Sequence, residues 1–340
     1  MTMSTSLILA TDEASWNRAM QQTTHDVYCS REWCLAASEI DTGIPALITA
    51  REGETYMVAP LIIRDFAAGV KDAVSPYGYA GPVFSQHADV GFRERAMQAA
   101  AMALAQFGAV TWFVRCHPIL DPLPTAEPRE LVQHGPTVSI DLTLDRDIRW
   151  SAMHSGHRYE IRRAVREGLE VAESASDEDW AQFRSLYEST MRGLDSRPYY
   201  LFSNAHWDRL VALGATGCAK LLIARIGSQI AGGAIFLYKP NTAIAHYHLS
   251  GTHEVFRRFQ PSKLIIAAAQ DKFAESGFSL LHLGGGVGAR QDGLFDFKRG
   301  FSPLTHRFHS RRIVLKPEQC ARLCKGGPCS LHRSFPCYRA

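Results

Sequence analysis

The 340-residue sequence contains no low-complexity tract and no uninterrupted apolar run long enough to cross a bilayer. Its greasiest stretch, residues 99–114, is broken by Gln106, Gly108 and Thr111. It reads as a helix, a glycine stop and a strand. The first ten residues lack the basic start, apolar centre and small-residue cleavage site of a secretory signal, so a cytoplasmic protein is expected. Eight cysteines scattered through both halves are too sparse for a small secreted disulfide scaffold. No Gly-Lys-Ser/Thr follows a glycine run, which excludes a P-loop, and no helix clearly begins after the longest run, which argues against a dinucleotide fingerprint. No Cys/His or Ser/His/Asp grouping stands out locally, so a covalent acyl-enzyme is not expected. Acid is nearly missing from the end of the chain, where residues 297–340 hold ten Lys and Arg against Glu318 alone.

What is present is globular. Apolar residues make up 46% and charged residues 21%, enough for a sizeable core, and the length suits two domains of ordinary size. The net charge of +3 conceals an asymmetry along the chain. Residues 1–145 carry 9 Lys and Arg against 17 Asp and Glu, whereas residues 146–340 carry 28 against 17. A basic second half implies a polyanionic partner, such as a phosphorylated substrate, a coenzyme A tail or an RNA.

Helix-like and strand-like segments alternate throughout. Residues 46–51 and 55–64 read as a hairpin, 92–107 as a helix, and 110–115 and 137–142 as strands. In the second half, 148–167 reads as one basic helix, 169–173 as a strand and 177–191 as a helix. Residues 220–226 and 229–238 form a hairpin across Gly227 and Ser228, and 242–250 is a strand. Residues 261–276 are a helix with Pro261 in its first turn, and 280–283 a strand. This order predicts an α/β fold with mixed sheets flanked by helices. The expected domains are 1–145, 146–316 and a cysteine-containing tail, 317–340.

The densest chemistry follows the last strand. Gly284, Gly285 and Gly286 bring backbone close to a ligand and offer N–H groups to an anion. Phe297-Lys298-Arg299-Gly300-Phe301 then sets a lysine between aromatics, its stem packed and its ammonium suited to a developing oxyanion or a phosphate. Asp292 and Asp296 flank this lysine; either is placed to take a proton from an attacking amine, or merely to cap the loop.

This segment resembles the C-terminal signature of the Fem-type transferases, a branch of the GNAT acetyltransferase superfamily, in which a glycine cluster, a Gly-Leu pair (here Gly293-Leu294) and Phe-Lys-x-x-Phe follow a strand. Four upstream stretches match in order. They are the loop 75–82 with Tyr77 and Tyr79, the basic helix with Arg162, Arg163 and Ala164, the run from Thr190 through Arg192 and Arg197 to Tyr199 and Tyr200, and His246-Tyr247-His248-Leu249-Ser250-Gly251 followed by Pro261-Ser262.

The resemblance implies two tandem GNAT-like domains and an enzyme that forms an amide. Aminoacyl-tRNA would be co-substrate and a small-molecule or peptide amine, from cell-wall or natural-product synthesis, the acceptor. It places Phe297 and Lys298 at the activated acyl group and Arg192 with the nearby tyrosines at the acceptor. Expected substrate contacts are therefore Tyr77, Tyr79, Arg192, Arg197, Tyr200, Tyr247, His248 and Ser250. Expected donor contacts are Arg257, Arg258, Gly285, Gly286, Arg299, Arg307, Arg311 and Arg312.

The alternative donor is acyl-CoA. A CoA-dependent member presents glycines and open N–H groups before the helix after its central strand. Here Arg257-Arg258-Phe259-Gln260-Pro261-Ser262 has no glycine, and Pro261 removes a donor. Together with the basic end of the chain, this favours tRNA. The competing non-enzymatic class, a degenerate fold kept as an RNA-binding module, is opposed by the intact Phe-Lys-x-x-Phe. No cofactor and no metal are expected. His246 and His248 read as packed histidines, and Cys320, Cys324, Cys329, His332 and Cys337 match no zinc spacing and read as incidental.

Overall fold

The computed structural model describes residues 2–67, 69–121, 126–127, 129–174, 176–194, 198–240, 242–324, 329 and 334–339. The chain begins with β1 (Ser4–Leu9), α1 (Glu13–Met20), α2 (Arg31–Asp41), β2 (Ile44–Glu52), β3 (Thr55–Ala67), β4 (Val70–Val74), β5 (Val83–Phe84), α3 (Val90–Phe107), β6 (Ala109–Arg115) and β7 (Leu131–Gln133). A second series follows: β8 (Thr137–Asp141), α4 (Arg146–Ala152), α5 (Ser155–Arg166), β9 (Leu169–Ser174), α6 (Asp177–Gly193), α7 (Asn204–Ala215), β10 (Ala219–Ile226), β11 (Gln229–Tyr238), β12 (Ile244–Thr252), α8 (Pro261–Glu275), β13 (Leu280–Gly284), α9 (Gly293–Arg299) and β14 (Thr305–His306). Last come β15 (His309–Val314) and α10 (Pro317–Leu323).

These elements form two units, Met1–His134 with Arg307–Ala340, and Gly135–His306. The first is built on a sheet ordered β1-β2-β3-β4-β6-β15-β7, with β5 beside β3. Period-two alternation sorts its residues between two faces. Ala46, Ile48, Met57 and Ala59 pack with α3, which buries Phe92, Ala96, Ala100 and Leu104 at helical spacing. Their neighbours Leu47 and Val58 pack in a separate cluster with Trp16 and Met20 of α1 and Cys34 of α2.

The second unit is ordered β14-β8-β13-β12-β11-β10-β9, and among the described residues only β12 and β13 pair in parallel. Helix α8 buries Leu264, Ile265, Ile266, Ala269 and Phe273 against this sheet. Two glycines show why strands and helices fit so closely. A Cβ on Gly232 would lie 3.0 Å from the Pro261 ring, and one on Gly233 would lie 2.6 Å from the Phe183 ring of α6. Helices therefore press on adjacent residues of β11, which point to opposite faces.

The mixed α/β architecture and both hairpins follow the sequence expectation, and three details differ. The basic helix is two helices, interrupted at Met153 and His154, where the His154 side chain accepts the Gly156 N–H. The boundary falls at 134/135 rather than 145/146, because β8 pairs with β13. The segment from 307 onward belongs to the first unit, because β15 pairs with β6 and β7. The last change removes the charge asymmetry. By unit, the counts are 17 Lys and Arg against 16 Asp and Glu in the first, and 20 against 18 in the second. An acidic acceptor domain facing a basic donor domain is thus a property of the linear sequence and not of the folded units.

Candidate functional site

The second unit opens its own sheet at the centre. Parallel β12 and β13 pair over only three residues, Ile244 to Leu280, Ala245 to Leu281 and His246 to His282. Beyond that point β12 runs on to Thr252 while β13 ends at Gly284 and registers with Val138 of β8. On its other side β12 is bulged: Tyr247 faces Phe236 and Leu249 faces Ile235, so His248 is the extra residue. A bulge turns the backbone locally. Tyr247, His248 and Ser250, predicted as substrate contacts, therefore share the stretch of β12 that β13 leaves uncovered. Burial pushes the Tyr247 hydroxyl up to about 12, against a hydrogen bond to Ser250. Burial first, then His206 and His246, hold His248 well below the usual imidazole range, so it is neutral at pH 7.

After β13 the chain makes the glycine turn and then α9, a helix where the sequence reading had a loop. The missed signal is Asp292, a helix-capping residue directly before Gly293. Its Oδ1 accepts the N–H groups of Leu294 and Phe295, each at 3.1 Å, and its Oδ2 accepts that of Val287 at 2.9 Å. Burial acts to raise this carboxyl, but the backbone donors and Arg290 leave it below the usual value. A carboxylate so held is a weaker base than a free one, and its three backbone bonds shape the turn before α9.

Lys298 sits on α9 with 8% exposure, and its Nζ donates to the Gly285 carbonyl at 2.7 Å. Burial lowers its ammonium to about 8, and Asp292 acts in the opposite sense. An ammonium has three N–H groups. One is committed to Gly285, and among the described residues no other group bonds the ammonium. Phe297 packs on the core, its ring 5.7 Å from that of His157 and 5.4 Å from that of Phe301. His157 bonds the Phe297 carbonyl at 2.9 Å, and the Gly300 carbonyl accepts the His154 N–H at 2.8 Å, so α5 fixes both ends of the Phe-Lys segment. Lys298, Phe297, Gly285, Gly286 and Asp292 are thus gathered in one place.

The predicted cations are dispersed. Arg299 is exposed and bonds the Ser302 carbonyl. Arg192 pairs with Glu188 one turn back on α6 at 3.1 Å. Arg257 and Arg258 are exposed on a short 3-10 turn, Glu254–Phe259. Tyr200 accepts the Tyr187 hydroxyl through its carbonyl, and Arg197 lies outside the described residues. Arg307, Arg311 and Arg312 belong to the first unit. Arg311 is buried against Glu130 at 2.9 Å, which corrects its donor assignment. Instead, arginines converge where helical spacing alone could have placed them. A cavity of about 560 Å³ in the second unit is lined by Arg146 and Arg149 of α4, Arg162 and Arg166 of α5, and the apolar Trp150 and Leu264. Arg162 stacks over Trp150 at 5.3 Å, and Asp271 balances Arg146 and Arg149.

The start of α8 offers few donors. Pro261 has no N–H, and the Lys263 N–H is taken by Gln260 at 3.0 Å. The Lys263 side chain is ion-paired with Glu160.

Tyr77 and Tyr79 lie in the first unit. The Tyr79 ring meets those of Tyr28 at 5.8 Å and Phe308 at 5.3 Å, so it is part of an aromatic cluster. The Tyr77 carbonyl accepts the Trp33 indole N–H at 2.8 Å. Tyr79→Ala is therefore expected to lower the stability of this unit by about 2 kcal/mol or more, read by thermal melting. Tyr77→Ala keeps the backbone acceptor of the Trp33 indole and is expected to melt above Tyr79→Ala.

Residues 154–299 match the model of the acetyltransferase (GNAT) domain family. Among solved structures, FemX superposes with a TM-score of 0.66 at 12% identity, over 94% of this chain and 99% of that one. The C-terminal domain of a putative lysylphosphatidylglycerol synthetase from Agrobacterium fabrum gives 0.56 at 15% identity, over 93% and 99%. A tandem GNAT protein from the clavulanic acid biosynthesis pathway gives 0.51 at 12%, over 93% and 99%. No curated protein matches the chain by sequence. The second unit is a GNAT-type acyltransferase domain, and the whole chain has the fold of tandem GNAT proteins.

Proposed function

We propose that this GNAT-type acyltransferase moves an aminoacyl group from aminoacyl-tRNA to an amine acceptor, forming an amide. The observation that carries the reading is the Lys298 ammonium, buried on α9 beside the glycine turn that follows β13. In the reaction, the acceptor nitrogen attacks the ester carbonyl, the C–N bond forms, and the carbonyl oxygen takes the electron pair. Lys298 stabilises that oxyanion at low local dielectric. Collapse breaks the ester C–O bond, and the proton lost by the amine ends on the departing ribose oxygen. The uncovered stretch of β12 aligns the two substrates, which by itself supplies several kcal/mol.

Two features favour tRNA over CoA. The first turn of α8 has a proline and a tied amide where a pyrophosphate would need open N–H groups. The arginine-lined cavity has cations and an aromatic plane suited to an RNA phosphate and base. The acceptor is read as a polar amine, a cell-wall precursor or a small peptide intermediate.

The test offers charged tRNA and acyl-CoA as rival donors. Charged tRNA is expected to support turnover that is lost on RNase treatment. The apparent donor affinity should fall about tenfold or more between 50 and 200 mM salt as counterions are released. Arg162→Glu with Arg166→Glu should raise the donor KM and leave the acceptor KM unchanged. RNase-insensitive turnover with acyl-CoA overturns the reading.

A further inference from the structure

The tail predicted to carry incidental thiols folds onto the first unit and gathers its cysteines. Cys320 and Cys324 stand one turn apart on and just after α10, with their sulfurs 3.9 Å apart. Cys329 joins them, so that the three sulfurs all lie within 4.8 Å of one another. Cys337 is the fourth, disulfide-bonded to Cys324. Its backbone N–H donates to the Cys329 sulfur at 3.2 Å. Cys320, Cys324 and Cys329 are buried against Val70 and Val110, under Leu323, Phe335 and Tyr338. His332 lies outside the described residues.

We propose that Cys320, Cys324, Cys329 and Cys337 form a structural zinc site that fastens the end of the chain to the sheet of the first unit. Zinc binds thiolates at about 2.3 Å with tetrahedral geometry, which sets neighbouring sulfurs about 3.8 Å apart. The Cys320–Cys324 separation of 3.9 Å meets that requirement before any rearrangement. An N–H donated to a sulfur is the second-sphere contact that stabilises a bound thiolate. The segment also needs a fastening. Beyond β15 its described regular structure is one seven-residue helix and one three-residue 3-10 turn, and the cysteines lie at the centre of the small apolar cluster that holds it.

The bonded pair and the ion are mutually exclusive. Loading requires a thiol or phosphine reductant, which delivers two electrons to the Cys324–Cys337 bond, while two protons complete the thiols. The four thiols then release four protons as they bind one divalent ion. The remaining cysteines fit a reduced protein, since Cys29, Cys34, Cys116 and Cys218 are unbonded.

The full chain, purified with a phosphine reductant from zinc-containing medium, is expected to carry about one zinc per chain by mass spectrometry. Cobalt in place of zinc should show thiolate charge-transfer absorption and tetrahedral d–d bands. Cys320→Ser and Cys329→Ser each leave the Cys324–Cys337 pair intact, and each is expected to cut zinc affinity at least about tenfold. Cys218→Ser, in the other unit, should leave it unchanged. Substoichiometric metal in the reduced and folded chain, a second disulfide between Cys320 and Cys329, or full zinc retention by both serine variants would each overturn the proposal.

Discussion

Replacing Lys298 with alanine or methionine is expected to cut turnover by about 100-fold or more, the scale of losing one preorganised electrostatic donor. Stability is expected to move the other way or not at all. The folded-state pKa of about 8 lies below the ordinary 10.5, so at pH 7 the folded protein carries a buried charge that it would hold more easily unfolded. That difference corresponds to roughly 3 kcal/mol. Removing the side chain relieves this penalty and loses one hydrogen bond to Gly285, worth about 1–2 kcal/mol. Lys298→Met should therefore melt at or above the parent temperature while losing activity, a signature that a merely structural lysine does not give. The pH profile has a definite sign as well. The ammonium is charged below pH 8 and neutralised as pH rises through it, so turnover should fall on the alkaline side. In Lys298→Arg that limb should move beyond the measurable range, because a guanidinium stays charged. A variant with full turnover, or a wild-type rate that rises through pH 8, would sink the assignment.

Gly286→Ala is expected to be the most damaging substitution outside Lys298. A Cβ there would lie 2.2 Å from the Arg290 carbonyl and 2.2 Å from Asp292 Oδ1. The first contact is backbone and the second is the capping carboxylate, so neither can step aside alone. The turn must open, Asp292 must release the amides it holds, and the start of α9 shifts with Lys298 on it. A displacement of about 1 Å at a reacting group can cost 100-fold in rate, and loss of the cap about 1 kcal/mol. Gly293, one residue past the cap, is the control: a Cβ there meets nothing within 4 Å. Kinetics and melting of the two variants together separate a shaped turn from a tolerant one. Equal activity would mean that the glycine run is only a connection.

The regular elements were legible because their signals are local. The hairpin across Gly227 and Ser228 and the Pro-started helix α8 stand where turn chemistry and periodicity put them. Helix α9 was not, since seven residues give too little periodicity and its one strong mark, Asp292, also read as a candidate base. Phe297, Lys298, Gly285 and Gly286 lie together in space as they do along the chain, which is why one short window of sequence contained them all. The surroundings of the arginines were not legible, for the opposite reason. The basic stretch 299–312 crosses the boundary between the units, and β15 carries Arg311, buried against Glu130, and Arg312 into the sheet of the first.

By itself the sequence determined the alternation of strands and helices, the glycine and Phe-Lys chemistry, and the likeness to acyl-transfer proteins, all of which are written in short windows. Tertiary structure alone decided which end of the chain completes which sheet, and with it the even charge of the two units. It also decided the burial that lowers Lys298, and the meeting of four cysteines whose spacing matches no linear pattern. Each of these depends on pairing between residues far apart in the chain, and no local propensity encodes it.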